Sequence, residues 1–381
     1  MKMVEDTLNK LYVAREGYSR ALILALMTKE HVVLVSPPGT AKSAMVRDLA
    51  RLVRARFFMY LMTKFTEPSE IFGPLDIAAL REGRYVRVTK GKLPEAEIAF
   101  LDEVFKANSA VLNSLLSVLQ ERVYYDGYTE IRVPLWTLIG ASNEVPEEPE
   151  LQALYDRFAV RVFEGYLQSE GDIMAALDAV WASSRTVDPV ATMEDVKSAH
   201  QLTVRAVRAK VKQLGTPVYK VYHQNVVPFL MALRRRGEVV VSDRTLIEKL
   251  PKLYAASLLL DGLRAENLIV TAFAVLKYVA RTREELAAIE NNLKDMLGEI
   301  GELKEKLEKA EEALRRGDLA TAERLYREVL DFDVNKLADK PWLKPHAHAA
   351  INAARKRLQQ IAEIKRRIAA AAEEEGEEVN L

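Results

Sequence analysis

An amine, a hydroxyl, two carboxylates and an amide carry the chemistry that this chain of 381 residues offers. The segment Ser-Pro-Pro-Gly-Thr-Ala-Lys-Ser at 36–43 places Lys42 and Ser43 behind a turn containing Gly39. Backbone N–H groups of such a turn, backed by a helix N-terminus, present partial positive charge to a polyphosphate. An amine at this point reaches the β and γ oxygens of ATP, and a hydroxyl ligates Mg²⁺. Pro38, Gly39, Thr40, Ala41, Lys42, Ser43 and Ala44 are therefore the candidate ATP-binding residues. A second segment, Ile-Ala-Phe-Leu-Asp-Glu at 98–103, ends in paired carboxylates. Asp102 suits the Mg²⁺ shell with Ser43, and Glu103 suits orienting and deprotonating the attacking water. The apolar run 135–141 leads into Ser142-Asn143, whose amide is suited to hold that water beside Glu103.

Three apolar runs must position these groups. His31–Val35 reads as a buried strand and 44–53 as a helix with apolar residues at helical spacing. That is the strand, turn, helix context a phosphate loop needs. The carboxylates and the amide then fall at the C-terminal ends of strands, the edge of an open α/β sheet where ligands sit. Two departures from G-x-x-x-x-G-K-[ST] are present, Ser36 for the first glycine and Ala41 for the second. The donors are backbone groups, so small side chains are tolerable where φ is negative, and only φ > 0 would exclude them. Each signal taken singly has a plainer source: a polar turn with an incidental lysine, or an Asp-Glu that caps a helix. Paired, they specify nucleotide hydrolysis better than either does alone. Leu154-Tyr155-Asp156-Arg157-Phe158 precedes a short strand at 160–163, and spacing by itself gives Arg157 no role.

Taken in order, Pro-Pro-Gly-Thr-Ala-Lys-Ser, Phe-Leu-Asp-Glu-Val-Phe-Lys-Ala-Asn, Ala-Ser-Asn-Glu-Val-Pro and Leu-Tyr-Asp-Arg-Phe resemble the motifs of the MoxR family of AAA+ ATPases, most of all its RavA-like branch. The family commonly carries Ala-Lys-[ST], so Ala41 fits, whereas Ser36 replaces a residue that is usually Gly. The likeness runs from about residue 8 to about residue 280. It implies that Lys42, Ser43 and Asp102 bind MgATP, that Glu103 and Asn143 position water, and that Arg157 reaches into a neighbouring subunit's site. Val241-Ser242-Asp243-Arg244 resembles the start of the lid helix that carries a second sensor arginine, so Arg244 is expected to touch the γ-phosphate. An exposed arginine behind two good N-caps would read alike. The resemblance further implies a homo-oligomeric ring, hexameric by family habit, that remodels or matures a client protein. Such proteins cooperate with a VWA-domain protein, and this chain has no Asp-x-Ser-x-Ser metal site, so that partner is a separate polypeptide.

Two insertions resemble those of the helix-2-insert clade. Residues 76–89 read as two short strands around Glu82-Gly83, and 122–133 as a hairpin around Asp126-Gly127. Tyr124, Tyr125 and Tyr128 on that hairpin are open to two readings, substrate contacts in a central pore or cross-strand aromatic packing.

Composition narrows the partners. Basic and acidic side chains balance at 55 each, so no long-range field favours nucleic acid or an anionic membrane. Absence of cysteine excludes disulfides and Cys-based metal sites. Residues 1–6 lack the charged and apolar regions of a signal peptide, and no stretch approaches ~18 uninterrupted apolar residues, so a cytoplasmic protein without membrane insertion is expected.

The expected fold is an α/β P-loop AAA+ core with a parallel sheet over 1–166, an all-α lid over 167–281 and a C-terminal antiparallel helical hairpin, a coiled coil, over 282–381. In the tail, Leu286, Ile289, Leu293, Met296, Ile300, Leu303, Leu307, Ala310 and Leu314 form a heptad seam that Gly317-Asp318 breaks. A second helix over 346–375 places Ile351, Ala354, Leu358, Ile361 and Ile368 on one face, with Leu319–Leu330 as a short helix at or near the turn. His346 and His348 read as exposed linker residues, and the acidic run 373–378 as a solvated tail. RavA-like proteins interrupt their helical region with a small β-rich domain, and nothing strand-rich occurs here. Two other functions fit the same motifs, a nucleic-acid-stimulated AAA+ motor and a nucleotide-binding scaffold with little turnover. Glu103 and Arg157 argue against the scaffold.

Overall fold

The computed structural model describes residues 1–126, 129–182, 187–208, 217–262, 268–338 and 343–375. Five short strands, His31–Val35 (β1), Phe57–Leu61 (β2), Ile98–Asp102 (β3), Thr137–Ser142 (β6) and Phe158–Phe163 (β7), form one parallel sheet in the order β2-β3-β6-β1-β7. The interior strands β1, β3 and β6 are near-continuous runs of buried residues, as expected where helices cover both faces. The edge strand β2 buries only Phe58 fully and carries no motif, which is why nothing in the sequence singled it out. Register sets Val35 opposite Ser142 and Leu61 opposite Asp102. The C-terminal ends of β1, β6 and β3, consecutive in the sheet, thus line up along one edge. Gly140 in β6 is required by close approach, since a Cβ there would lie 3.0 Å from both Phe158 and Val104 side chains.

The chain divides into two compact units, Met1–Tyr219 with Val241–Leu286, and Lys220–Val240 with Ala287–Leu381. In the first, Lys2–Leu11 (α1), Glu16–Thr28 (α2) and Lys42–Leu52 (α3) cover the sheet together with Ser109–Glu121 (α6), and Pro149–Tyr155 (α7) leads into β7. Glu170–Ala182 (α8), Met193–Arg208 (α9), Leu250–Leu260 (α12) and Leu268–Ala274 (α13) follow, so beyond β7 the described residues of this unit are helical or irregular. Helix α2 packs against α9 and α12.

Two insertions interrupt the core. The hairpin forms as expected, with Val123–Asp126 (β4) antiparallel to Thr129–Arg132 (β5), though Tyr128 lies outside the described residues. The first insertion departs from expectation. Beyond the short helix Pro68–Phe72 (α4), the stretch read as its first strand is a helical turn, Ile77–Arg81 (α5). Asp76 caps it, accepting from the backbone N–H of Ala78 at 2.9 Å and Ala79 at 3.1 Å, and Ile-Ala-Ala-Leu-Arg favours helix once capped. Only the return segment is strand-like, with Leu75 bridged to Arg87.

In the second unit, Val227–Arg235 (α11) buries Phe229, Leu230 and Leu233; Pro217–Val221 (α10) begins just before it. The long helix Arg283–Arg315 (α14) enters this unit at Ala287, and Leu319–Leu330 (α15) and Lys344–Glu375 (α16) complete it. Asn292 of α14 accepts from Arg236 at 2.7 Å and donates to Glu238 at 3.0 Å. Of the expected seam, Ile289, Leu303 and Ala310 are buried, as are Ile351, Ala354 and Ile361 of α16. The short helix is more than a turn. Lys306 pairs with Glu328 at 3.1 Å, which folds α15 back along α14 about Gly317. Arg357 and Lys365 of α16 pair with Glu311 of α14 at 2.6 Å and with Glu323 of α15 at 3.1 Å, so α16 lies against both. His348 is exposed, and it belongs to α16 rather than to a linker.

Candidate functional site

Residues 36–41 leave β1 at its C-terminal end and wrap into α3, whose first residue is Lys42. Gly39 takes φ +78, and the space where a Cβ would stand is open. Ala41 takes φ +64, so the expectation that small side chains sit only at negative φ is corrected here. A left-handed alanine costs roughly 1–2 kcal/mol, which the surrounding loop must offset. Ser36 does not have that geometry, but it is fully buried and its hydroxyl is used. The Ser36 Oγ lies 2.9 Å from Thr40 Oγ1, and Lys42 Nζ donates to Ser36 O at 2.7 Å, Ser36 Oγ at 3.0 Å and Pro37 O at 3.0 Å. All three ammonium hydrogens therefore have acceptors within the loop itself. Burial lowers the Lys42 pKa from its ordinary value, opposed by the nearby Asp102 and Glu103 carboxylates.

Across the edge, Asn143 Nδ2 donates to Glu103 Oε1 at 2.8 Å, joining the ends of β6 and β3. Glu103 stands at φ +51, a left-handed conformation that a bulky residue holds only when its surroundings fix it. Its backbone N–H donates to Asp102 Oδ1 at 3.1 Å, and Lys106 lies 3.3 Å from its other carboxylate oxygen. Burial raises the Asp102 pKa, with its hydrogen bond from Glu103 and the Lys42 charge acting the other way. A cleft of about 1010 Å³ opens beside Glu103 and Asn143, lined also by Lys64, Lys106 and Glu147 and not by the loop 36–43. The donor set suits Mg²⁺. Ser43 and Asp102 are hard oxygen ligands, and an ion of this kind takes one or two protein oxygens with the rest from phosphate and water. Among the described residues no cluster of three or more His, Cys, Asp or Glu offers an all-protein cage.

Arg157 and Arg244 are not brought to this edge. Arg157 precedes Phe158, which pairs with His31, so it stands at the N-terminal end of β1, roughly 13 Å along the strand from Val35 at about 3.3 Å per residue. Its Nε is buried without a hydrogen-bond partner. Arg244 pairs with Glu248 at 3.3 Å and is exposed. It precedes Lys249, whose electrostatic neighbours are Glu30, Arg161, Arg244 and Arg157, and Lys252 ties the start of α12 to Glu30 at 3.1 Å. Both arginines therefore lie at the end of the sheet opposite Lys42 of the same chain, and Arg244 does not face that chain's own loop. On the hairpin, Tyr124 is buried and stacks on Phe72 of α4 at 4.3 Å between ring centroids, so packing explains it, though not across the strands. Tyr125 is half exposed and donates to Glu121 at 2.8 Å. Reading by motif missed Tyr18 of α2, fully buried, whose hydroxyl is close enough to Ser36 and Thr40 for them to oppose the rise that burial gives its pKa. An aromatic in an apolar helix gives no sequence signal of that placement.

A parallel sheet with a glycine loop feeding a helix, and carboxylates and an amide on the adjoining strand ends, defines the P-loop nucleotide-binding class. The comparisons agree and go further. The family described as "MoxR domain in the MoxR-vWA-beta-propeller ternary systems" matches residues 1–204. The chain belongs to the MoxR family of AAA+ ATPases. It is similar to two uncharacterized proteins of Methanocaldococcus jannaschii, at 36% identity over 64% of this chain and 61% of the relative, and at 44% over 47% and 48%. Chaperone MoxR1 of Mycobacterium tuberculosis is 29% identical over 42% of this chain and 43% of its own length. The chain thus spans about half to three fifths of the length of the curated relatives it matches first. A crystal structure described as a putative ATPase from Cytophaga hutchinsonii superposes with a TM-score of 0.56 at 21% identity, covering 77% of this chain and 93% of that one, which shows a shared fold.

Proposed function

We propose that the chain hydrolyses ATP with Mg²⁺ in a head-to-tail ring, hexameric as in its family, and uses the cycle to remodel or mature a client protein. The carrying observation is the Asn143–Glu103 hydrogen bond of 2.8 Å on the strand ends beside the Lys42 loop. Backbone N–H donors of 39–44 and the Lys42 ammonium, with Pro38 lining the turn, would hold the triphosphate, while Ser43 and Asp102 would hold the ion. Mg²⁺ held by these two oxygens would supply neutralisation of charge developing on the phosphate. Glu103, oriented by Asn143, takes the proton from the attacking water. Arg157 and Arg244, remote from their own loop, serve a neighbour's γ-phosphate, and a trans arginine of this kind contributes about 10³ to 10⁵ in rate. The family description, which names MoxR-vWA-beta-propeller ternary systems, supports a separate VWA-domain partner, and Chaperone MoxR1 among the relatives supports a remodelling role. The proposed division is a 1–166 core, a 167–281 lid and a 282–381 tail, with 220–240 of the lid grouping with the tail helices. The site is cytoplasmic in this reading, consistent with no helix of the described residues being long and apolar enough to cross a membrane.

The Glu103→Gln variant tests the reading. ATP binding is expected to survive, with turnover reduced by at least about 10²-fold. Equilibrium binding and phosphate release measured on one preparation separate the two, and loss of binding, or full turnover, would remove Glu103 from its role.

A further inference from the structure

The turn that carries Arg157 is gripped by a residue just before α14. Arg281 Nη2 donates to Gln152 Oε1 at 2.9 Å and pairs with Asp156 Oδ1 at 2.9 Å. Its backbone takes part as well: the Arg281 carbonyl accepts from Tyr155 Oη, and its N–H donates to Glu285 Oε2 at 2.8 Å. From β7, Arg161 donates to Val279 O and to Tyr155 O, both at 3.4 Å, and its guanidinium lies over the Tyr155 ring at 4.7 Å. Residues 279–281 and 152–156 are thus joined as one block. Arg157 itself is fixed through its backbone, whose N–H donates to Leu154 O at 3.0 Å, and its Nε is buried without a hydrogen-bond partner. The turn, rather than a side-chain bond, therefore sets where this arginine points.

We propose that Arg281 is a positioning residue that aims Arg157 by holding Asp156 and Gln152. The inference rests on the reading of Arg157 as the arginine that serves a neighbour's γ-phosphate. The Asp156 side chain is half exposed and that of Arg281 a quarter exposed, and an ion pair so open to water adds little to folding. What it adds is direction, and a group displaced by about 1 Å can cost about 10²-fold in rate. Thr282 follows directly and caps α14, accepting from the Glu285 N–H at 3.2 Å, so the same contacts tie the arginine turn to the first turn of that helix.

Arg281→Ala removes the two side-chain bonds and leaves both backbone ones, so the unfolding midpoint is expected to hold. ATP affinity is expected to stay within about two-fold while kcat falls about 10- to 100-fold. Both bonds come from one nitrogen, so Arg281→Lys, whose ammonium can serve both acceptors, is expected to keep about half of the rate or more. Mixing shows which site is damaged. Arg281→Ala protein is expected to regain rate with Glu103→Gln protein, which supplies an intact arginine, and to gain nothing with Arg157→Ala protein, which supplies none. The reverse pattern would place the damage in the variant's own site and overturn the inference. Full turnover by Arg281→Ala, or a midpoint and affinity that fall together with the rate, would overturn it equally. Failure of Arg157→Ala and Glu103→Gln proteins to complement each other would instead remove the trans reading beneath it.

Discussion

Lys249 shows how one buried charge can set a pH response. It is 7% exposed, and the cations Arg157, Arg161 and Arg244 face it with Glu30 as the nearby anion. Burial first, and these cations next, bring its pKa down to about 8, with Glu30 opposing. Between pH 8 and 10 the unfolded chain therefore binds more protons than the folded one, so this residue makes stability rise with pH in that window. Lys249→Met is expected to flatten the rise and to add on the order of 2 kcal/mol at pH 7. Unfolding midpoints across pH 7 to 10 for both proteins check it, and equal slopes would reject the assignment. At the same scale, much of the candidate edge was legible in sequence. Asp102 ends a buried strand, Glu103 and Asn143 directly follow one, and Lys42 opens the helix fed by the loop after β1, so local pattern fixes where they emerge. Tyr18 and the φ of Ala41 were not legible, because the first depends on where tertiary packing brings α2 near Ser36 and Thr40 and the second on how tightly the loop must close.

Among the elements, the first insertion is where pattern and structure part. Residues 84–88 do extend, yet Asp76 satisfies two backbone donors and commits the preceding turn to helix, a local contest that alternation cannot reveal. Its geometry turns on Gly73, the C-cap of α4, at φ +101. A Cβ there would stand 2.1 Å from the Val88 carbonyl oxygen, backbone that cannot move without shifting the return segment. Gly73→Ala is expected to cost about 3 kcal/mol or more. Gly83→Ala, also at positive φ but with open space around it, is expected to cost only about 1 kcal/mol. Thermal unfolding of the two variants decides the matter, and equal losses would mean that the Val88 contact does not hold the insertion in place. The hairpin was easier to read, since Asp-Gly between alternating residues is a local signal, whereas the stacking of Tyr124 on Phe72 joins segments far apart in sequence.

For the whole molecule, residues 220–240 belong with the C-terminal helices, a grouping that no linker composition announces. Phe229, Leu230 and Leu233 are buried within that unit, and Asn292 joins α14 to Arg236 and Glu238. Removing 287–381 alone is expected to strand this apolar face, each fully buried side chain being worth about 1.5–3 kcal/mol, and to give aggregating protein by light scattering. Replacing 220–240 with a short Gly-Ser linker in the same truncation is expected to restore solubility and ATP binding; equal aggregation of both would show that 220–240 is not the cause. Turnover should also require neighbours. Arg157→Ala and Glu103→Gln proteins, each inactive alone, are expected to regain part of the wild-type rate when mixed, and confirmed mixed assemblies without any gain would count against a trans arginine. The placement of Lys42 and Arg157 at opposite ends of β1 has a consequence for symmetry. In the head-to-tail assembly proposed above, unlike ends of the sheet meet at every contact, so each interface would set one subunit's Arg157 toward its neighbour's Lys42 loop. Such contacts are heterologous, so the rotation per step decides whether the subunits close on themselves or run on as a filament.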